Sequence, residues 1–362
     1  MKVATIFGTR PEIIRLSSVI EKLDGLCEQT LVHTGQNYAP NLSDIFFEEL
    51  GVRQPDECWG IKTGSFSDQI AEMIRKAGEF FTKERPDRVL ILGDTNSGLA
   101  AMVAARMQIP VFHMEAGNRC YDDRVPEEIN RRVIDHCSKI LMPYTHRSKE
   151  NLIREGIDRT KIYVTGNPIW EVILANKPKI AASDVMARMS LTEKQYMVVT
   201  IHRSENVDDV ERLSQILAGL DAVAEEFQVP VIVSLHPRTA DKIAKGNLAP
   251  KSTLVRFLTP CGFFDFVRLE QSAMCILTDS GTVQEEATLL MTPSVIVRDV
   301  TERAECLEAG SGILSGADPV SILRSTKTAV SSKCDWVPPT EYLQENVSQV
   351  VASIVVGYHH KK

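Results

Sequence analysis

The sequence predicts an α/β protein made of two Rossmann-like, doubly wound parallel sheets in tandem. Short runs rich in Val, Ile and Leu alternate with helical patterns along nearly the whole chain. Each run is almost continuously apolar, as strands covered on both faces must be. The chain also has 362 residues, more than one hydrophobic core usually organises, so two domains are the default.

Taken in order, "KVATIFG", "QTLVHTG", "RVLILGD", "PVFHMEA", "KILMPY" and "KIYVTGN" read as the strands of a first sheet. Amphipathic stretches such as "SDQIAEMIRKAGEFF" supply the helices between them. Gly166, Asn167 and Pro168 break the pattern, which bounds a first domain at residues 1–167. A second domain, 168–339, then carries "YMVVTIH", "VPVIVSLH", "TLVRFLT", "MCILTDS", "PSVIVRD" and "SGILSG". After Pro338 and Pro339, residues 340–362 read as a terminal helix.

Composition narrows the function. With 43% hydrophobic and 25% charged residues and a formal charge of -7, the chain offers no general attraction to nucleic acid or to an anionic membrane. No apolar run approaches the roughly 18 residues of a membrane span. The chain opens directly on a strand with no signal-peptide pattern, so a cytoplasmic protein is expected. Eight scattered cysteines show no C-x-x-C pair and no metal-ligand spacing, and read as buried or incidental thiols. No G-x-G-x-x-G follows an early strand and no G-x-x-x-x-G-K-[ST] occurs, which argues against dinucleotide redox chemistry and P-loop phosphoryl transfer.

In open parallel sheets the ligand sits beyond the carboxyl ends of the strands. Those ends carry Gly8-Thr9-Arg10, Gly93-Asp94-Thr95, Glu115-Ala116-Gly117, His202-Arg203, His236-Pro237-Arg238 and Asp279-Ser280-Gly281. Two such rims facing each other would form an interdomain cleft. Arg10 beside a helix that starts at Pro11 suits a phosphate, although a capped turn with a solvated arginine would look the same. Ser280 and Gly281 open a second helix whose free N–H groups suit another phosphate, and Glu285 or Glu286, one turn in, could accept two ribose hydroxyl protons. The alternative is that Asp279 or Ser280 caps this helix while the glutamates favour its positive end. His202 and His236 stand at two strand ends of one half, with Arg203 and Arg238 beside them.

The stretch "VFHMEAGNRCYDDRVPEEINRR" poses the sharpest chemical question. Asp94 and Glu115 end consecutive strands, and Glu127 and Glu128 follow Pro126 at a helix start, where one glutamate can serve merely as a capping device. Carboxylates converging from separate segments would raise one another's pKa, giving a protonated acid beside an ionised base. Such a pair suits proton abstraction from carbon or assisted departure of a leaving group. A divalent cation is the competing use, but no D-x-D sequence occurs.

In this order, "GTRPEIIR", "GDTNS", "HMEAGNR", "RVPEEINRR", "VTGN", "HRSEN" and "LTDSGTVQEEA" resemble the non-hydrolysing UDP-N-acetylglucosamine 2-epimerase family over essentially the whole chain. The resemblance implies a glycosyltransferase-B-like fold with the active site in the interdomain cleft, a terminal helix returning to the first domain, a homodimer, and no cofactor or metal. It implies anti elimination of UDP across carbons 1 and 2 of a UDP-N-acetylhexosamine, a 2-acetamidoglucal intermediate and readdition. Carried over position by position, the catalytic group is Asp94, Glu115, Glu127 and His202. The UDP-sugar contacts are Arg10, Arg15, His202, Arg203, Ser280, Gly281 and Glu286.

Two departures from the family pattern stand out: Arg15 where many members carry lysine, and "TGQNYAPNL" where many carry a Gln-His-Arg stretch that in some belongs to a second, allosteric site. The family's commonest reaction interconverts UDP-GlcNAc and UDP-ManNAc. "IFFEELGVRQPD" and "SLHPRT" look closer to the branch that turns UDP-2-acetamido-2,6-dideoxy-L-talose into UDP-N-acetyl-L-fucosamine. A hydrolysing epimerase, a retaining glycosyltransferase and a silent UDP-sugar sensor are the remaining readings.

Overall fold

The computed structural model describes residues 1–35, 40–61 and 65–359, without the side chains of 40–43. Residues 36–39 of "TGQNYAPNL" lie outside the described residues, and with them the question of an allosteric site. Two compact units emerge: Met1–Ala175 with Thr340–Lys362, and Asn176–Pro339. The division falls one short helix later than Pro168, because the helix Ile169–Ala175 packs on the first helix, Arg10–Asp24, and so belongs to the first unit.

In the first unit the strands are β1 (Lys2–Phe7), β2 (Glu28–His33), β3 (Glu57–Cys58), β4 (Arg88–Leu92), β5 (Val111–Met114) and β6 (Ile140–Met142). They form one parallel sheet in the order β3-β2-β1-β4-β5-β6. Ala4, Ile6, Val32, Val89 and Ile91 pack on one face against Met73, Ala77, Phe80 and Phe81 of the helix Phe66–Glu84. The strand order reverses between β1 and β4, and a ligand site is expected beyond the carboxyl ends at such a switch point.

"KIYVTGN" does not form a full strand. Ile162 makes a single bridge to Leu141, and the N–H groups of Tyr163 and Thr165 donate to Leu141 and Pro143 carbonyls, so the segment only borders β6. The sixth strand is instead the two-residue β3 on the opposite edge, too short to show a pattern in sequence.

The terminal helix is shorter than expected, Val347–Gly357. It lies against the helix Arg10–Asp24 and buries Val347, Val351, Ala352 and Val355 completely. Glu171 accepts hydrogen bonds from the Ser348 N–H and hydroxyl, and the Asn167 N–H donates to the Glu341 carbonyl. At the helix's C-terminal end, where carbonyls lack intrahelical donors, the Arg88 guanidinium donates to the Val355 and Tyr358 carbonyls.

The second unit repeats the plan with β7 (Met197–Thr200), β8 (Val231–Ser234), β9 (Val255–Leu258), β10 (Cys275–Thr278), β11 (Ser294–Ile296) and β12 (Gly312–Leu314). Their order, β12-β11-β10-β7-β8-β9, is the same topology, with its switch point between β7 and β10. One face buries Val199, Val233 and Leu277 with Ile216, Leu220 and Ile322. The other buries Val198, Ile232 and Ile276 with Leu269 and Ala287. Two Rossmann-like units in one chain are the glycosyltransferase-B-like class of fold that the sequence predicts.

Candidate active site

In the first unit the switch point is organised by a residue absent from the expected set. Glu12, on the first turn of its helix, accepts from the N–H groups of Gly8 and Thr9 and from the Thr9 hydroxyl at 2.7–2.9 Å. Its other oxygen accepts from the Thr95 hydroxyl at 2.9 Å. One carboxyl group thus joins the loops after β1 and β4. Burial pushes it up to about 7, against those donors, which favour the ionised form. The signal was present in sequence, since Thr9 and Glu12 have capping-box spacing.

Asp94 and Glu115 end the paired strands β4 and β5. Each has its own arginine. Arg131 places Nε 2.8 Å and Nη2 2.7 Å from Asp94 Oδ2, while Arg15 Nη1 lies 2.7 Å from Glu115 Oε2. The expectation of acids facing one another did not include these two guanidinium partners. Arg15 is 3% exposed, and its guanidinium sits over the Tyr144 ring at 5.7 Å, so lysine could not supply the same contacts. Asn118 Nδ2 holds the other Glu115 oxygen at 3.1 Å. Glu115 itself has φ 63°, a left-handed conformation uncommon outside glycine.

Of the two glutamates after Pro126, Glu128 is the structural one. Fully buried, it accepts from the Cys120 and Tyr121 N–H groups and from Arg131 Nη1 at 2.8 Å. Burial alone would raise it, but these donors hold its carboxyl below the usual range. Glu127 lies half-buried on the same turn. Arg131 thus links Asp94 to the loop before Glu127, a role its i+3 spacing from Glu128 could have suggested. Arg10 is half-buried, its guanidinium 5.9 Å from the Phe46 ring centre.

The second unit's tips are built from different groups. Asp279, completely buried, accepts from the N–H groups of His202 and Arg203 and from Asn206 Nδ2 at 2.9–3.1 Å. It shapes the loop after β7 and does not cap the helix Gly281–Leu289. That helix has no side-chain cap: Ser280 pairs its hydroxyl with Thr282 at 2.9 Å. Its first-turn N–H groups remain the kind of donors that receive phosphates. A Cβ at Gly281 would stand 2.8 Å from Glu302 Oε1, so that carboxylate would have to shift to admit a side chain.

His202 Nδ1 is 3.3 Å from Asp279 and its ring is 5.6 Å from that of His236, which caps its own helix by accepting from the Arg238 N–H. Arg203 reaches Glu302 at 3.3 Å, and Glu302 is paired with buried Arg298 at 2.8 Å. This ion-pair group was not foreseen.

Glu285 is buried against Arg303, and Glu286 is buried on the same turn. Behind it lies Glu270. Burial and then the Glu286 charge push the Glu270 carboxyl well above the usual range. Among the described residues no group of three or more His, Cys, Asp or Glu side chains is placed to hold a metal, and no helix is long and apolar enough to cross a membrane.

The chain's relatives share this architecture along their lengths. A family model described as UDP-N-acetylglucosamine 2-epimerase matches residues 22–356. The UDP-N-acetylglucosamine 2-epimerase of Methanocaldococcus jannaschii is 40% identical over 348 residues, covering 94% of this chain and 95% of its own. A crystal structure of the Methanocaldococcus jannaschii enzyme in complex with UDP-GlcNAc and UDP superposes with a TM-score of 0.95 at 37% identity, covering 99% of this chain and 100% of that one. The UDP-2,3-diacetamido-2,3-dideoxy-D-glucuronate 2-epimerase of Pseudomonas aeruginosa is 36% identical over 337 residues, 91% of this chain and 92% of its own. With a model spanning nearly the whole sequence and relatives of this identity, the chain belongs to the UDP-N-acetylglucosamine 2-epimerase family, a family of isomerases.

Proposed function

We propose that the protein epimerises carbon 2 of a UDP-N-acetylhexosamine without hydrolysis, interconverting UDP-GlcNAc and UDP-ManNAc. The observation that carries this reading is the pair of arginine-held carboxylates, Asp94–Arg131 and Glu115–Arg15, on neighbouring strand tips, with Glu127 on the adjoining helix. One carboxylate takes the proton from carbon 2 as the bond from carbon 1 to the UDP oxygen breaks and UDP leaves with the electron pair. The product is a 2-acetamidoglucal. UDP then adds back to carbon 1 while a proton reaches carbon 2 from the opposite face. Two acid-base groups suffice, and each contributes roughly 10²- to 10⁴-fold.

In this reading the second unit grips the nucleotide. The N–H groups beginning at Gly281 and the Ser280 hydroxyl receive phosphate, Glu286 receives the ribose hydroxyls, and His202 with Arg203 and Arg10 balances the diphosphate charge. Arg15 acts through Glu115. One relative is named for a different sugar nucleotide, UDP-2,3-diacetamido-2,3-dideoxy-D-glucuronate, which supports testing more than one sugar. The 6-deoxy-L-talose nucleotide is therefore the second substrate to test. The reading also carries a homodimer working in the cytoplasm, which sedimentation and cell fractionation check.

Proton NMR in heavy water decides the matter, with UDP-GlcNAc and, separately, UDP-2-acetamido-2,6-dideoxy-L-talose. Deuterium is expected at carbon 2 with the nucleotide still attached, and the sugar that exchanges names the branch. Release of free sugar and UDP would make the protein a hydrolysing epimerase. Binding without exchange of either sugar would sink the epimerase reading.

A further inference from the structure

We propose that His113 is a buried imidazolium whose two N–H groups fix both acid-bearing loops of the first unit, making it the positioning residue for Asp94 and Glu115. The inference rests on the epimerase reading for its functional half only. His113 lies on β5, 1% exposed, in register between Ile91 of β4 and Leu141 of β6. Its Nε2 is 2.8 Å from the Gly93 carbonyl oxygen, and its Nδ1 is 2.8 Å from Asp135 Oδ1. A carbonyl can only accept, so Nε2 carries a hydrogen.

Asp135 is fully buried, and burial alone would raise it. Its second oxygen is paired with the fully buried Arg119 guanidinium at 2.7 Å and accepts from the Gly117 N–H, the partners of a carboxylate. It is therefore an ionised acceptor, and Nδ1 must also donate. A ring that donates from both nitrogens is cationic.

The two bonds reach two different loops. Gly93 immediately precedes Asp94, so the Nε2 bond anchors the turn that presents that acid. The second Asp135 oxygen accepts from the Gly117 N–H at 3.2 Å, two residues beyond Glu115, and from Arg119 Nη2 at 2.7 Å. Arg119 also holds Glu155 at 2.7 and 2.8 Å and the Asn118 carbonyl at 2.8 Å. His136 approaches the outer Glu155 oxygen at 3.7 Å. Two cations, His113 and Arg119, thus balance two anions, Asp135 and Glu155, beneath the sheet's carboxyl edge. A neutral imidazole offers one donor, and a glutamine amide cannot aim two donors in opposed directions, so either change frees one loop.

The first test is independent of catalysis. In protein labelled with nitrogen-15 histidine, one ring should show both nitrogens in the protonated state with slowly exchanging hydrogens, and it should vanish in His113→Gln. An unprotonated nitrogen on that ring in the wild type overturns the proposal. The second test is kinetic. His113→Gln should slow carbon 2 exchange at saturating substrate by about 10²-fold through misplaced acids, with UDP affinity by calorimetry unchanged. Unchanged turnover would remove the positioning role.

If His113→Gln fails to fold, Asp135→Asn serves instead. It withdraws the charged acceptor, so the His113 ring should lose one hydrogen, and a ring left doubly protonated would overturn the scheme. Should wild-type protein exchange neither sugar, the epimerase reading fails, while the ring signature stands or falls by itself.

Discussion

The two units share one strand order yet furnish the same positions with opposite chemistry. At the switch point of the first, the tips carry carboxylates: Glu12 bound to four donors, Asp94 and Glu115 each held by an arginine. At the switch point of the second, the tip carboxylate Asp279 is turned inward and spends its oxygens on main-chain N–H groups. Beside it in sequence and space stand serine, glycine, histidine and arginine. The topology only assigns where a ligand meets the sheet, and the residues at those points decide whether a proton is moved or an anion is held.

The division of labour breaks or survives on the acids first. Glu115→Gln or Asp94→Asn should cut carbon 2 exchange by about 10²- to 10⁴-fold while UDP affinity stays within about twofold. An equal loss of UDP affinity would erase the distinction between the units.

Next in size is an effect on stability. Because Glu12 holds its proton up to about 7 in the folded state, against an ordinary 4.5, its contribution is complete below pH 4.5 and is lost as pH rises through 7. The span is worth about 3 kcal/mol. Denaturation of Glu12→Gln against wild type across this window should show that slope disappear. A difference that does not change with pH would mean that the four donors win over burial.

In the second unit, Glu286→Ala should weaken UDP about 10- to 100-fold by calorimetry and leave turnover at saturation within about threefold. A collapse in turnover with normal affinity would reassign Glu286 to the chemistry. The smallest effect is expected for Arg15→Lys, which keeps a charge beside Glu115 but loses the planar fork over Tyr144. Turnover should fall about threefold to tenfold, and no change at all would mean that only the charge matters.

How much of this was legible in sequence follows from the range of each interaction. Continuous apolar runs announce parallel strands, so β1, β2 and β4–β12 were legible, β9 although two of its four residues are exposed. A two-residue edge strand has no periodicity, and "KIYVTGN" looked like a strand because Ile162 is buried beside β6 although no ladder follows. The tip residues were readable because strand ends punctuate the pattern. Their partners were not, since Arg15 meets Glu115 across a hundred residues and Arg131 meets Asp94 across thirty-seven. His113 was hidden more thoroughly: inside "VFHM" it reads as one more core position, and only the structure shows the Gly93 carbonyl and Asp135 on either side of its ring.

The docking of Val347–Gly357 on the helix Arg10–Asp24 has a consequence for synthesis. The second unit is a continuous stretch of chain and can close as soon as it leaves the ribosome. The first unit cannot, because Val347, Val351 and Val355 fill a groove made hundreds of codons earlier. The half that emerges first is finished last. Until translation passes Gly357 it waits with an apolar groove open, the interval in which a chaperone has something to hold.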